Sequence, residues 1–405
     1  MTRKPERNHY DAQVGLDPSG SHLPSFAYAL VKFTYAIENG ATVLTEPEPL
    51  LYDIWSNPDL PKFQVGSDYW FDKPATDVVV RGYAMAVDGR PFQSSSVSVR
   101  VADRVKRIAV FGQRVVEWSK NGTASFSAPE PVDKVPLLYQ LAYGGFDPRV
   151  PIPAEQAEDY QRLLEEGQAY DHPGLYPRNP VGKGYIALPG PVEGLELPNL
   201  EDPSDLLRPE RLCAGAPELW YRQPLPYCFE PMVGLTFPRV RYMGMEPWYP
   251  APHGADLPEV ARGFCPPNLP ASLAQNESLA ITFLQEASLG MAFATPLAGQ
   301  PVEVQGMHPE MRSLNFVVPP PPRLEMVVEG QRQPVEARLT NLTLLPHEKR
   351  FSVTYAAKTP GLSRAFIPGI HRVIPIAVIV NGDAEVRYET PVPIRDRLNQ
   401  GAPAA

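Results

Sequence analysis

Apolar and polar positions alternate with a period of two along much of this chain. The clearest case is Val97, Val99 and Val101, separated by Ser98, Arg100 and Ala102. That is the pattern of a strand with one face in a core. Residues 77–87 and 105–111 flank it, with Asp88-Gly89 and Gly112-Gln113 as turn dipeptides, and 115–118 follows. The pattern predicts a four-stranded meander over 77–118, closed by residues 132–145 on Gly144-Gly145, where positive φ costs little. Upstream, residues 26–37 place Tyr28, Phe33 and Tyr35 for a buried strand. From Val302 the alternation resumes, with strands expected over 324–328, 335–339, 342–345, 351–356 and 373–380.

Between these regions the period is lost. Residues 147–270 hold 23 of the chain's 50 prolines, together with Trp220, Trp248 and many tyrosines. The best helix there is 155–166, set between Pro153 and Gly167, and a short one is expected over 279–285. The rest reads as ordered loop pinned by aromatics, because a structureless insertion of this length is improbable in a compact domain. Residues 45–75 form another Pro-punctuated loop, with Trp55 and Trp70 to pin it. The expected organisation is a loose arm (1–22), a β meander region (23–146), a Pro-rich insertion packed on the body (147–270), a second β region (271–390) and a tail (391–405). The fold class is mainly β: a large β-sandwich-like body of antiparallel meanders, with long Pro-rich ordered loops and few short helices. Met85-Ala-Val-Asp-Gly-Arg-Pro91 resembles Met326-Val-Val-Glu-Gly-Gln-Arg332, and Lys106-Arg-Ile-Ala-Val110 resembles Lys349-Arg-Phe-Ser-Val353. Duplication and chance similarity of strand-turn-strand sequence both account for this.

Composition narrows the class. Proline is one residue in eight, against a usual rate of about one in twenty. With 43% hydrophobic residues the chain still builds a core, so stiff ordered loops explain the proline better than disorder. A net charge of −9 argues against nucleic acid or an anionic membrane as the main partner. Cys213, Cys228 and Cys265 form no metal or redox pair, and an odd count suits a reducing compartment. The first residues have no apolar core, and the longest apolar run, 373–380, contains Pro375 and is far short of the roughly 20 residues of a membrane span. A cytoplasmic protein is expected.

Candidate chemistry is sparse. None of the seven histidines sits at metal-ligand spacing. Asp171-His172 lacks a Gly-x-Ser-x-Gly partner, so it reads as a polar loop pair before Pro173. Asn179-Pro180-Val181-Gly182-Lys183-Gly184 lacks the first glycine and the hydroxyl of a phosphate loop, and reads as a tight double turn with Lys183 on its surface. Glu193, Glu196, Glu201 and Asp202 read as a solvated or partner-facing acidic loop. Lys73 and Asp77 suggest a structural ion pair or a turn capped by Asp77. No catalytic residue, cofactor or metal is expected. Trp220, Arg222, Arg241 and Trp248 are the partner-binding candidates, since Trp and Arg are enriched in binding hot spots. The same tryptophans also suit internal anchoring, and a glycan platform is a third use.

Four motifs stand in order: Lys73-Pro74-Ala75-Thr76-Asp77, Tyr143-Gly144-Gly145-Phe146-Asp147, Asn179-Pro180-Val181-Gly182-Lys183-Gly184 and Leu197-Pro198-Asn199-Leu200-Glu201-Asp202. Together they resemble the bacterial family known as domain of unknown function 2169. The resemblance implies an adaptor or chaperone of type VI secretion. Such a protein binds a cognate toxic effector in the cytoplasm and helps load it onto the valine-glycine repeat spike protein. The alternatives are an enzyme acting on glycans or peptidoglycan from the Pro-rich loops, and a structural part of a phage-tail-like assembly.

Overall fold

A computed structural model describes residues 9–16, 26–51, 68, 73, 75–154, 157–158, 173–176, 178–231, 286–359, 375–383 and 385–387. Its strands, in chain order, begin with β1 (Tyr10–Leu16), β2 (Ala27–Glu38), β3 (Ala41–Leu44), β4 (Thr76–Val80), β5 (Tyr83–Met85), β6 (Ser94–Val101) and β7 (Arg104–Phe111). The middle holds β8 (Val116–Trp118), β9 (Ala124–Phe126), β10 (Lys134–Pro136), β11 (Tyr143–Gly144), β12 (Lys183–Gly184) and β13 (Leu200–Glu201). The last are β14 (Ala292–Phe293), β15 (Pro301–Gln305), β16 (Ser313–Val317), β17 (Leu324–Val328), β18 (Gln331–Val335), β19 (Arg338–Leu345), β20 (Arg350–Lys358), β21 (Ile376–Val380) and β22 (Val386–Arg387). The architecture is mainly β; the longest named helical element is the 3₁₀ turn Pro217–Arg222.

Two large sheets make the body. The first has the order β1-β2-β20-β19-β4-β14, with β3 also paired to β2. All its pairings are antiparallel except β4 with β19. The second is antiparallel, in the order β13-β7-β6-β15-β16. The sheets meet through Val78 and Val80 on one side and Val99, Val101, Ile108, Val302 and Val304 on the other. Phe316 of β16 stacks on Phe351 of β20 at 4.0 Å between ring centroids, and Phe351 stacks on Tyr35 at 5.2 Å. Such pairs add about 0.5–1.5 kcal/mol beyond burial alone. A four-stranded sheet, β18-β17-β21-β22, packs beside β1 and joins the same core.

Several sequence expectations need correction. The arm expected over residues 1–22 contains β1, fully paired with β2 from Tyr10 to Leu16. The strand expected over 77–87 is broken at Arg81-Gly82: β4 stays in the first sheet, while β5 pairs with β10. The four-stranded meander is therefore a hairpin, β6–β7, whose flanking strands belong elsewhere; β8 pairs with β9. The expected 335–339 strand is split between the end of β18 and the start of β19. The N-terminal and C-terminal β regions are not separate layers, since β2 pairs with β20 and β6 with β15. The similar strings hold unlike places. Lys106–Val110 runs in the second sheet and Lys349–Val353 in the first, although Asp88-Gly89 and Glu329-Gly330 both turn with positive φ. The expected helix at 155–166 is described only at residues 157–158, which are helical; the one at 279–285, Trp55 and Trp70 lie outside the described residues.

Candidate functional site

The first sheet alternates as a half-buried sheet does, but both of its faces are covered. Ala27, Ala29, Val31 and Phe33 of β2 face the second sheet, while Tyr28 and Leu30 pack with Leu50 and Ala356 in a separate cluster. Lys32 shares that second face, and the strand register aligns it with a row of polar residues. Lys32 pairs with Thr354, Thr354 with Asn341, and Asn341 with Asp77, so the row crosses four adjacent strands. Every member is buried.

Asp68 and Lys73 complete the row. The Asp68 carboxylate accepts hydrogen bonds from Lys32 Nζ (2.7 Å), Thr354 Oγ1 (2.8 Å), Asn341 Nδ2 (2.9 Å) and the Leu51 amide (3.0 Å). Burial alone would raise its pKa, but the Lys32 charge and these bonds outweigh burial and hold it at about 2. Lys73 Nζ donates to Asp77 Oδ2 and to Asn341 Oδ1, both at 2.7 Å, with Glu286 Oε2 3.6 Å away. Burial disfavours the ammonium, yet Asp77 and Glu286 more than offset it and raise its pKa. Asp77 also accepts the backbone amides of Glu286 (2.9 Å) and Ala287 (3.0 Å). The ion pair expected between Lys73 and Asp77 is therefore present, and Asp77 caps a distant segment rather than its own turn. Beside the row lies a cavity of about 10 Å³, lined by Asp68, Glu286, Asn341 and Thr343 among others, about the room one water needs. A substrate does not fit there. The row braces the sheet.

The other three motifs converge on one junction. β11 and β12 pair in parallel, Tyr143 with Lys183 and Gly144 with Gly184. Asn179 Nδ2 donates to the carbonyls of Tyr139 (2.7 Å) and Tyr143 (3.0 Å), and its own carbonyl accepts the Gly145 amide (2.9 Å). Gly145 has φ +95°, and a Cβ there would sit 2.6 Å from the Gly182 oxygen. Gly184 has φ +93° and lies against the Pro198 ring. Asn199 Nδ2 donates to the Phe111 carbonyl at 2.9 Å, which ties Leu197–Asp202 to β7. Gly182 and Pro180 complete the turn between Asn179 and β12.

The acidic residues do not form one cluster. Glu201 is buried, bonded by the Arg114 guanidinium and the Leu207 amide (2.6 Å); burial raises its pKa and Arg114 only partly offsets that. Glu196 instead pairs on the surface with Lys183 at 3.0 Å. Asp202 caps the Ser204 amide at 2.8 Å. Asp147 is fully buried and accepts Arg149 Nη2 (2.8 Å) and the amides of Ala187 and Leu188 (both 3.0 Å).

Around this junction lies a second core, built by Tyr143, Tyr176, Tyr185, Leu197, Leu212 and Trp220. Trp220 is 1% exposed, with Tyr176 edge-on at 6.4 Å and the Arg178 guanidinium 5.1 Å over its ring. It is an internal anchor and not the partner-binding residue that its type suggests. Arg222 is exposed at the end of the same 3₁₀ turn. Arg241, Trp248, Pro74 and the Asp171-His172 pair lie outside the described residues.

Residues 24–356 match the family described as "Uncharacterized protein conserved in bacteria (DUF2169)". The chain belongs to that family. The DUF2169 span takes in all four motifs and the whole polar row from Lys32 to Thr354. No curated protein and no solved structure matches the chain.

Lys106, which the sequence pattern places only in a string similar to Lys349–Val353, has an unusual environment. It shares the inward face of β7 with Ile108 and Val110, and it is buried. Its Nζ donates to the Cys228 carbonyl (2.5 Å) and Ser288 Oγ (2.9 Å), with the Tyr227 ring at 4.5 Å. Among the described residues no carboxylate pairs with it. Burial lowers its pKa to about 7, with only weak opposition from the Cys228 thiol and Asp202. A separate recess of about 240 Å³ lies at the start of β4, lined mostly by apolar groups such as Phe293, Leu297 and Leu339, together with Glu336 and Arg338. Among the described residues no three His, Cys, Asp or Glu side chains gather to hold a metal, and no helix is long and apolar enough to cross a membrane.

Proposed function

We propose that this protein is a cytoplasmic adaptor of a type VI secretion system, which binds a cognate toxic effector and helps load it onto the valine-glycine repeat spike. The observation that carries this reading is the order and spacing of the four motifs between Lys73 and Asp202, which resemble those of proteins with that role. The disposition of the motif side chains agrees with it. Most of them brace the sheet or knit the junction, so recognition falls to the loops and edges that this frame supports. Loops on a rigid scaffold diversify without disturbing the core, which suits one frame serving different cargoes. Arg222 is the exposed candidate for such a contact. The test is purification of the tagged chain from a native lysate, with its partners identified by mass spectrometry. The adaptor reading expects one toxin-like protein and a spike protein. Recovery of neither, under conditions that keep the chain folded, contradicts it.

A further inference from the structure

Most described sheet edges are short or blocked. β13, β14 and β22 each have two residues, and Arg104 Nη1 occupies the Ala292 carbonyl of β14 at 2.7 Å. β18 carries Arg332 and Pro334, and β1 lies against the third sheet. Charges, prolines and short length are the usual means of keeping edges from pairing. β16 (Ser-Leu-Asn-Phe-Val) and β3 (Ala-Thr-Val-Leu) carry no charge and no proline, and the two strands lie beside each other. Six large apolar side chains stay exposed among the described residues: Val43, Leu44, Phe146, Leu206, Met311 and Val317. Four of them, Val43, Leu44, Met311 and Val317, belong to these two strands or to the turn before β16.

The register fixes which backbone groups of β16 are open. The Val318 amide donates to the Gln300 carbonyl, and Gly306 donates to Arg312. With Val302 opposite Phe316 and Val304 opposite Leu314, the even-numbered residues bond to β15. The amides and carbonyls of Ser313, Asn315 and Val317 therefore point away from the sheet, with no hydrogen-bond partner among the described residues.

We propose that β16 is a homodimer edge, joining a second copy of this chain by antiparallel pairing about a two-fold axis at Asn315. Self-complementarity selects this occupant. The three open residues are symmetric about Asn315, so Asn315 exchanges two bonds with its own copy. Ser313 and Val317 exchange two more at each end. No like charges meet along the strand, because it has none. A five-residue strand alone falls short of a stable interface, so the apolar side chains of Val43, Leu44, Met311 and Val317 supply the remainder, and a weak, micromolar association is expected. This inference is independent of the effector-loading role.

Sedimentation equilibrium of the full chain tests it, alone and as Asn315→Pro and Val317→Lys. The Asn315 amide points out of the sheet, so proline there removes no intrachain bond, and a proline on an edge is tolerated. Val317 is 51% exposed, so lysine there is solvated in the monomer and meets Ser313 of the other copy in the dimer. The wild type is expected to dimerise reversibly at micromolar concentration, with each variant weakened by about tenfold or more, the effect of losing about 1.4 kcal/mol. Thermal midpoints at low concentration should match. A wild type monomeric throughout the micromolar range overturns the proposal and leaves the edge to an extended strand of another protein. Undiminished dimerisation of folded Val317→Lys overturns it as well, whatever Asn315→Pro does to folding.

Discussion

Asp77 answers one buried ammonium and two backbone amides at once, and its isosteric replacement isolates the charge. Asp77→Asn keeps the volume but leaves Lys73 to Glu286, 3.6 Å away. Breaking a buried pair from one side typically costs about 3–5 kcal/mol, so urea unfolding should show a loss of that order. Lys106 gives the opposite case, a buried lysine that no carboxylate pairs with among the described residues. Its pKa falls from 10.5 to about 7, so the unfolded chain binds one more proton across that window. Stability from this residue therefore rises as pH goes from about 7 to 10.5, and its cost is fully present below 7. Lys106→Met keeps the aliphatic stem and removes the proton. The difference in unfolding free energy between wild type and variant should grow in favour of the wild type over that range; a pH-independent difference contradicts the assignment. Of the polar row, the sequence shows only Lys73 and Asp77, four positions apart. Asn341 lies 268 residues from Lys73, and no local pattern announces such a partner. The one local signal for the row's other end is Lys32, a lysine inside the apolar run of β2.

Strand existence was legible at the level of elements, because β6, β7, β17 and β20 all follow their apolar alternation. Strand partnership was not. Residues 77–87 read as continuous because both β4 and β5 are apolar, yet the chain changes sheets between them at Arg81-Gly82, where Gly82 passes the Pro346 ring. Periodicity reports burial, and burial is the same in either sheet. The irregular segment around Trp220 shows what its aromatics do: they fill a second core in place of helices. Trp220→Ala should cost about 3–5 kcal/mol, as large aromatic truncations do. Arg222→Ala, two residues on and exposed, should change stability by no more than about 0.5 kcal/mol. Thermal melts of the two variants check both. If Arg222→Ala also leaves effector affinity unchanged, that arginine is not a contact.

Across the whole molecule, strands from the two ends of the chain share sheets: β2 lies between β1 and β20, and β6 borders β15. The body is thus a single frame with the DUF2169 motifs at its joints, and the proposed adaptor role places partner recognition on what the frame carries. The proposed role in effector loading is the central claim, and secretion from the native host tests it most directly. The chain is deleted, and export of the cognate effector is measured beside export of the secretion tube's own protein. An adaptor predicts that the effector disappears from the medium while tube protein is exported as before, with effector export restored by the wild-type chain. Loss of both would make the protein part of the secretion machine itself, and loss of neither would contradict a role in loading.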